Sequence, residues 1–253
     1  MGTALAEQGP GWAPGAGHGS APVTYAGLLG VPRRRLTDQR AGSYIQQHIC
    51  QPLGMDFHVG VPDQDLPRIA HVSRLRNQYG DEGARALFAA MGEPEGLTAK
   101  AFGNPSSMMT STNKREWQQA EILSANGTGN ARSLARFWQL LAHGGKLDGV
   151  SLLDAELVAL MQQEHSKGQD RTLLCPTRFG LGVMLEQDTP GGGFGMGPRA
   201  FGHPGAGGSL GFCDPDAQVG FGYVTNTMGP YVLMDPRALA LSSAVKDCLR
   251  ELD

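Results

Sequence analysis

No stretch of this sequence is long and apolar enough to cross a bilayer. Its longest apolar runs are a few residues, as in Val183-Met184-Leu185, where a spanning helix needs about 20. Positive charge is not in excess either: 21 Lys and Arg face 24 Asp and Glu, a net charge of -3. That balance argues against nucleic acid as a partner, because such binders carry a basic footprint. The one basic run, Arg33-Arg34-Arg35 beside Pro32, reads as a solvated turn or helix start. Cysteine is scarce, with only Cys50, Cys175, Cys213 and Cys248 and no CxxC pair. This excludes zinc ribbons and thioredoxin-type motifs, and the irregular spacing suits isolated, partly buried thiols. The seven histidines show no HxH or HxxxH spacing, so no metal site is expected. The glycine-rich run 191–197 has neither GxGxxG spacing nor a following Gly-Lys-Ser/Thr. It reads as a flexible loop, and no cofactor is expected. The first residues, Met1-Gly2-Thr3-Ala4-Leu5-Ala6, lack a basic-then-apolar leader and the Ser or Thr of a myristoylation signal. The expectation is a cytoplasmic chain.

What is present suffices for one core. The 253 residues are 40% apolar, which excludes a disordered chain, and the 37 glycines form no G-X-Y repeat. A single domain over 1–253 is expected. Gly and Pro punctuate residues 9–22, which read as loop. Thr24 to Leu29 starts a buried helix in which Tyr25 packs. Thr37 is placed to cap a second helix, with Ala41, Tyr44, Ile45, His48 and Ile49 on its inner face and Pro52 and Gly54 at its end. Short helical pieces and loops alternate over 61–110, with Asp81-Glu82 solvated and a turn at Asn104-Pro105-Ser106-Ser107.

A loop at 126–130 leads into a helix whose apolar face is Leu134, Phe137, Trp138, Leu140 and Leu141, stopped by Gly144-Gly145. Leu152 to Met161 forms another helix. Phe179 to Leu185, Ser209 to Cys213 and Gln218 to Asn226 read as strands, the last two joined by a turn at Asp214-Pro215-Asp216. Asp235 caps a final helix with Pro236 at its first position and Ala238, Leu241, Val245 and Leu249 inward. Mixed helices, an antiparallel meander and a closing helix make an α+β layout.

The sharpest local feature is Phe201-Gly202-His203-Pro204-Gly205-Ala206-Gly207-Gly208-Ser209. A His followed by small residues just before a strand brings backbone N–H groups close to a ligand, and donors fixed that way suit an oxyanion. A tight turn with a surface His fits the same string. FGHPGAGGSLGFCDPD at 201–216, followed by FGYVTN at 221–226, resembles the third active-site motif of the β-lactamase-related serine hydrolases. That group comprises class C β-lactamases, penicillin-binding-protein-like proteins and esterases, and His203-Pro204-Gly205 matches the His-x-Gly variant of its Lys-Thr-Gly. Trp12-Ala13-Pro14-Gly15 followed by His18-Gly19 is similar to the WxPG segment ahead of the family's catalytic Tyr. Gln51-Pro52-Leu53-Gly54-Met55, Asn126-Gly127 with the helix 131–142, and Asp235-Pro236-Arg237 match further segments in the right order.

The resemblance implies a β-lactamase/transpeptidase-like fold, an antiparallel sheet flanked by helices. It also implies hydrolysis of a small ester or amide through an acyl-enzyme. His203 and Gly205 would line the cleft and the Ala206 N–H would serve the oxyanion. Two departures weigh against activity. Only 11 residues precede Trp12, so the N-terminal part that carries the family's S-x-x-K nucleophile is expected to be missing. The family Tyr is replaced by Ser20, whose hydroxyl is shorter and far less acidic. Two S-x-x-K strings lie on the wrong side of that position. Ser243 to Lys246 falls inside the last helix, while Ser111 to Lys114 could start a short one, which leaves Ser111 a remote nucleophile candidate. The alternative to an impaired hydrolase is a non-catalytic remnant that binds acyl ligands or a partner. Loss of a sheet neighbour would also leave an open edge, so self-association is expected.

Overall fold

The computed structural model describes residues 2–74, 80–104, 110–189 and 192–251. Helix α1 (Gly2–Glu7) precedes the Gly- and Pro-rich segment. Helix α2 (Tyr25–Thr37) runs through Pro32 and carries Arg34 and Arg35 in its last turn, where cations complement the negative helix end. The basic run is therefore helical. Tyr25 is 48% exposed rather than packed. Thr37 closes α2 instead of capping the next helix: its hydroxyl donates to Arg33 O at 3.0 Å, and Asp38 follows at φ 52.

Helix α3 (Ala41–Ile45) passes through a π-turn at 46–50 into α4 (Gln51–Leu53). The widened turn sits just ahead of Pro52, which has no N–H to donate, so Pro52 does not end the helix. Gly54 ends it at φ 60. His48 is exposed, its ring tilted against that of Tyr44 with centroids 4.4 Å apart, rather than partly packed on the inner face.

Strand β1 (Phe57–His58) is followed by a 3-10 segment (Asp63–Arg68), β2 (Ser73–Arg74), α5 (Glu82–Met91), α6 (Leu97–Phe102) and α7 (Arg115–Gln119). Asp81 caps α5 by accepting from Ala84 N–H at 2.8 Å. The turn expected at 104–107 lies, beyond Asn104, outside the described residues. Strand β3 (Thr128–Gly129) pairs antiparallel with β1, so the expected loop at 126–130 contains a strand. Helix α8 (Ala131–Ala142) has its cap from Asn130, whose side chain accepts from Ser133 N–H at 2.9 Å. A small hairpin, β4 (Lys146–Leu147) and β5 (Val150–Ser151), leads to α9 (Ala155–Met161), which starts three residues later than its apolar pattern suggests.

The central sheet is a meander of six strands: β6 (Ser166–Gln169), β7 (Pro176–Phe179), β8 (Met184–Leu185), β9 (Phe201–Pro204), β10 (Leu210–Asp214) and β11 (Val219–Tyr223). Each pairs antiparallel with the next. The single strand expected over 179–185 is instead the hairpin between β7 and β8, turned at Gly182 with φ 77. His203 lies within β9 rather than in a turn ahead of a strand. Strand β12 (Thr227–Met228) leaves the sheet and pairs parallel with β2, and α10 (Pro236–Arg250) closes the chain.

Helices cover both faces of the sheet. Phe201 and Cys213, opposite each other on β9 and β10, face α8, where the Trp138 ring centre lies 6.2 Å from that of Phe201. Phe212 points the other way, stacked between Phe194 and Phe221 at 5.3 and 4.8 Å, in the cluster that Ala238 of α10 joins. Each such buried aromatic contributes about 1.5–3 kcal/mol. Glycine lets α8 approach: a Cβ on Gly220 or Gly222 would strike the α8 backbone. Leu241, expected inward, is 49% exposed, while Ala238 and Ser242 are buried.

Candidate active site

β9 carries His203 opposite Gly211 of β10. The residue is exposed to solvent, although protein atoms crowd the imidazole. That desolvation pushes the imidazole below the ordinary His value, against an opposing hydrogen bond to Pro204 O. The bond is 2.6 Å long from Nδ1. A carbonyl only accepts, so Nδ1 carries the proton and Nε2 is left with its lone pair.

The turn after β9 orders its backbone donors. Gly205 N–H donates to Ser209 O at 2.6 Å, Gly207 N–H to Tyr231 O at 2.7 Å and Gly208 N–H to Gly205 O at 3.1 Å. Among the described residues, the N–H groups of Ala206 and Ser209 have no acceptor, and Ala206 is the exposed one of the two. Of the two substrate or oxyanion residues that the resemblance implies, Ala206 has its N–H without an acceptor, while the Gly205 N–H is engaged by Ser209 O. Gly207 at φ 87 and Gly208 at φ 123 take conformations that side chains disfavour, which is why this turn is glycine-rich.

Ser20 is held elsewhere. The segment before it folds on itself and on the turn between β6 and β7. The Trp12 indole donates to Gly17 O at 3.0 Å, and the Arg171 guanidinium lies 4.8 Å over the Trp12 ring and donates to Ala16 O at 2.7 Å. His18 forms a bridge to Asp170, and its Nε2 meets Thr177 Oγ1 on β7 at 2.7 Å. Ser20 N–H donates to both oxygens of Asp170, at 3.1 and 3.0 Å, and its hydroxyl donates to Oδ2 at 2.8 Å. Asp170 is 1% exposed and also accepts from Thr172 and Leu173 N–H at 2.8 Å each. Ser20 thus belongs to the β6–β7 turn, while His203 stands on β9, with β8 between β7 and β9 in the sheet.

The remaining candidates are separated from this wall. Ser111 is buried and does not start a helix. Lys114 N–H donates to Ser111 O at 2.8 Å in a turn, and Lys114 is the exposed residue ahead of α7. Ser and Lys therefore do not share the helical turn that an S-x-x-K pair needs. Lys246 of the other string donates to Met196 O at 3.2 Å. Among the described residues, no group of three His, Cys, Asp or Glu could hold a metal ion, and no helix is long and apolar enough to cross a membrane. The four cysteines are free thiols, Cys248 being exposed. Burial pushes Cys50 and Cys175 up to about 11 and Cys213 further still, so these three are not ready thiolates.

Sequence reading missed Asp170 and Thr177, which sit in no motif. It read Asp235-Pro236-Arg237 only as a helix start. Burial raises the Asp235 carboxyl, but hydrogen bonds from Arg237 and its N–H outweigh that and hold it below the usual carboxylate range.

An antiparallel sheet flanked by helices, with a His-Pro-Gly strand end running into a glycine-rich turn, is a β-lactamase/transpeptidase-like fold. The Beta-lactamase family model matches residues 1–245, and the chain belongs to that family. It is 30% identical over 220 residues to "Esterase/beta-lactamase LipL" of Mycobacterium tuberculosis (strain ATCC 25618 / H37Rv), covering 84% of this chain and 49% of that protein. Among solved structures it is similar to a novel penicillin-binding protein homolog from Caulobacter crescentus, with TM-score 0.77, 33% identity and coverage of 95% of this chain and 61% of that one. It is also similar to a family VIII carboxylesterase, with TM-score 0.74, 30% identity and coverage of 95% and 62%. The chain thus spans about half the length of the curated relative and about three fifths of these structures.

Proposed function

We propose that this chain forms the oxyanion-binding wall of a serine hydrolase acting on a small ester or amide, and that as given it turns over no substrate. The observation that carries this is the Ala206 N–H, which belongs to an exposed residue and has no acceptor among the described residues, in a turn where the Gly205, Gly207 and Gly208 donors are engaged. Such a donor stabilises a carbonyl oxygen as negative charge develops during acyl transfer. In that scheme a serine attacks the carbonyl carbon, the acyl-enzyme forms as the leaving group departs with a proton, and water then releases the acid. His203 Nε2, unprotonated and at the cleft wall, is the group placed to accept a hydrogen bond from substrate or water.

What supports impairment is local. Ser20, at the family's Tyr position, has its hydroxyl committed to Asp170, and Ser111 and Lys114 are not on one helix. These same contacts favour the second reading, a non-catalytic module that retains an acyl-binding wall. The open side of β11, at the end of the sheet order, supports self-association of a chain proposed to act in the cytoplasm.

The test is hydrolysis of p-nitrophenyl acetate and of nitrocefin by the purified chain, against buffer and denatured-protein controls. No turnover above controls is expected. Turnover abolished by Ser111→Ala would overturn the impairment and make Ser111 the nucleophile.

A further inference from the structure

We infer that Arg237 is a positioning residue for the Ala206 N–H, an inference that rests on the oxyanion-donor reading above. One guanidinium ties together Gly207, Thr227 and Asp235, which lie 30, 10 and 2 residues before it. Its Nη2 donates to Gly207 O at 2.8 Å and its Nη1 to Thr227 O of β12 at 2.8 Å. Its Nε and Nη2 also donate to the two oxygens of Asp235, at 2.9 and 2.8 Å. Asp235 is 2% exposed and is fixed in turn as the cap of α10, accepting from Arg237 N–H at 2.9 Å. A two-point pairing of this kind sets the plane of the guanidinium as well as its place, so the donors aimed at Gly207 and Thr227 have a fixed direction.

Gly207 follows Ala206 and is held on both sides. Its N–H donates to Tyr231 O at 2.7 Å, and its carbonyl accepts from Arg237 and from Gly229 N–H at 2.8 Å. Gly205, on the other side of Ala206, is held through Ser209 O and Gly208 N–H. Ala206 is therefore a single free peptide N–H between two anchored neighbours, and Arg237 supplies the charged part of one anchor. The glycines around the fork are needed for its approach. A Cβ on Gly208 would come 2.7 Å from Arg237 Nη2, and one on Gly229 would come 2.8 Å from the same atom. An oxyanion donor is effective when its direction is set before the charge appears, and the Asp235–Arg237 pair sets it from outside the cleft.

The experiment uses amide-resolved NMR on the full chain, with acetate as the probe anion and hydrogen exchange as the second readout. In the wild type, acetate is expected to shift the Ala206 amide, and the Gly207 and Gly229 amides are expected to be protected. Arg237→Met removes the charged anchor, so exchange at Gly207 and Gly229 should quicken by about tenfold or more, as for loss of a charge-assisted bond. The acetate response of Ala206 should vanish while Phe212 and Cys213 amides in β10 stay protected. Arg237→Lys should recover part of the acetate response, which general weakening of the fold would not do. Retention of both Gly207 protection and the acetate response in Arg237→Met overturns the positioning role and leaves the donor reading intact. Absence of any Ala206 shift in the wild type overturns the donor reading itself, and the positioning role with it. Should Arg237→Met fail to fold, Asp235→Asn, which keeps a capping oxygen but loses the charged pair, carries the same comparison.

Discussion

Ser20 and Asp170 are joined three times, by the Ser20 N–H to both carboxylate oxygens and by its hydroxyl to Oδ2 at 2.8 Å. The hydroxyl is therefore part of the frame. Ser20→Ala removes one hydrogen bond to a buried carboxylate and should cost about 1.5–3 kcal/mol, read from urea unfolding. A loss below about 0.5 kcal/mol, as at ordinary surface positions, would instead show a hydroxyl free to act in the cleft.

That relationship also marks where sequence reading stops. Helices α8 and α10 were legible because their apolar residues recur at helical spacing and Asn130 and Asp235 cap them. The β10–β11 hairpin was legible from its Asp-Pro-Asp turn. Strands β6 and β9 were not, because Gly168 in one and Gly202, His203 and Pro204 in the other interrupt apolar alternation. The His203–Ala206 segment was found by its run of small residues. Its supports were not: Ser20 lies 150 residues from Asp170 and Gly207 lies 30 from Arg237, and no local spacing encodes such pairs. The same limit applied to Gly205, whose N–H is taken by Ser209 across the turn.

His203 should titrate below its ordinary value of 6.5, because crowding by protein disfavours the imidazolium. The unfolded chain then binds the proton more readily than the native one. Stability from this residue is complete above 6.5 and is lost as pH falls through 6.5 toward the native value. NMR titration of the imidazole gives the midpoint directly, and His203→Gln should flatten that part of the Tm–pH curve. A midpoint above 6.5 would mean that the hydrogen bond to Pro204 O outweighs the crowding.

Gly220 is a packing requirement of the α8–β11 contact. A Cβ there would strike the backbone of Gln139, which cannot move without shifting the helix. Gly220→Ala should cost about 1–3 kcal/mol, the range for overpacking a core, measured by the midpoint of urea unfolding. A neutral result would show that α8 sits farther from the sheet.

Gln139 also blunts the open side of β11. Its side-chain oxygen accepts from Gly220 N–H at 2.6 Å and its amide donates to Gln218 O at 3.0 Å, so the Gly220 N–H on that side of the strand is already engaged. Exposed strand edges template association. Gln139→Ala should therefore raise the sedimentation-average mass at a given concentration. An unchanged mass would mean that β11 is not the surface through which copies meet.

Glu186 gives the last prediction, through the loop it holds. Its carboxylate accepts from Phe194 N–H at 2.9 Å, with Gly195 and Met196 N–H also directed at it. Lys246, which donates to Met196 O at 3.2 Å, is the cation nearby. Burial raises the carboxyl above its ordinary 4.5, and the three N–H groups and Lys246 only partly offset that. The native protein thus holds this proton more tightly than the unfolded chain. Its contribution is fully favourable below 4.5 and declines as pH rises through the native value. Glu186→Gln keeps an oxygen for Phe194 and cannot ionise. The Tm of the wild type minus that of Glu186→Gln should therefore rise as pH is lowered from 7 to 4.5. A difference that falls over this range would show the N–H groups and Lys246 outweighing burial, with the loop 192–197 tightened by the charged form.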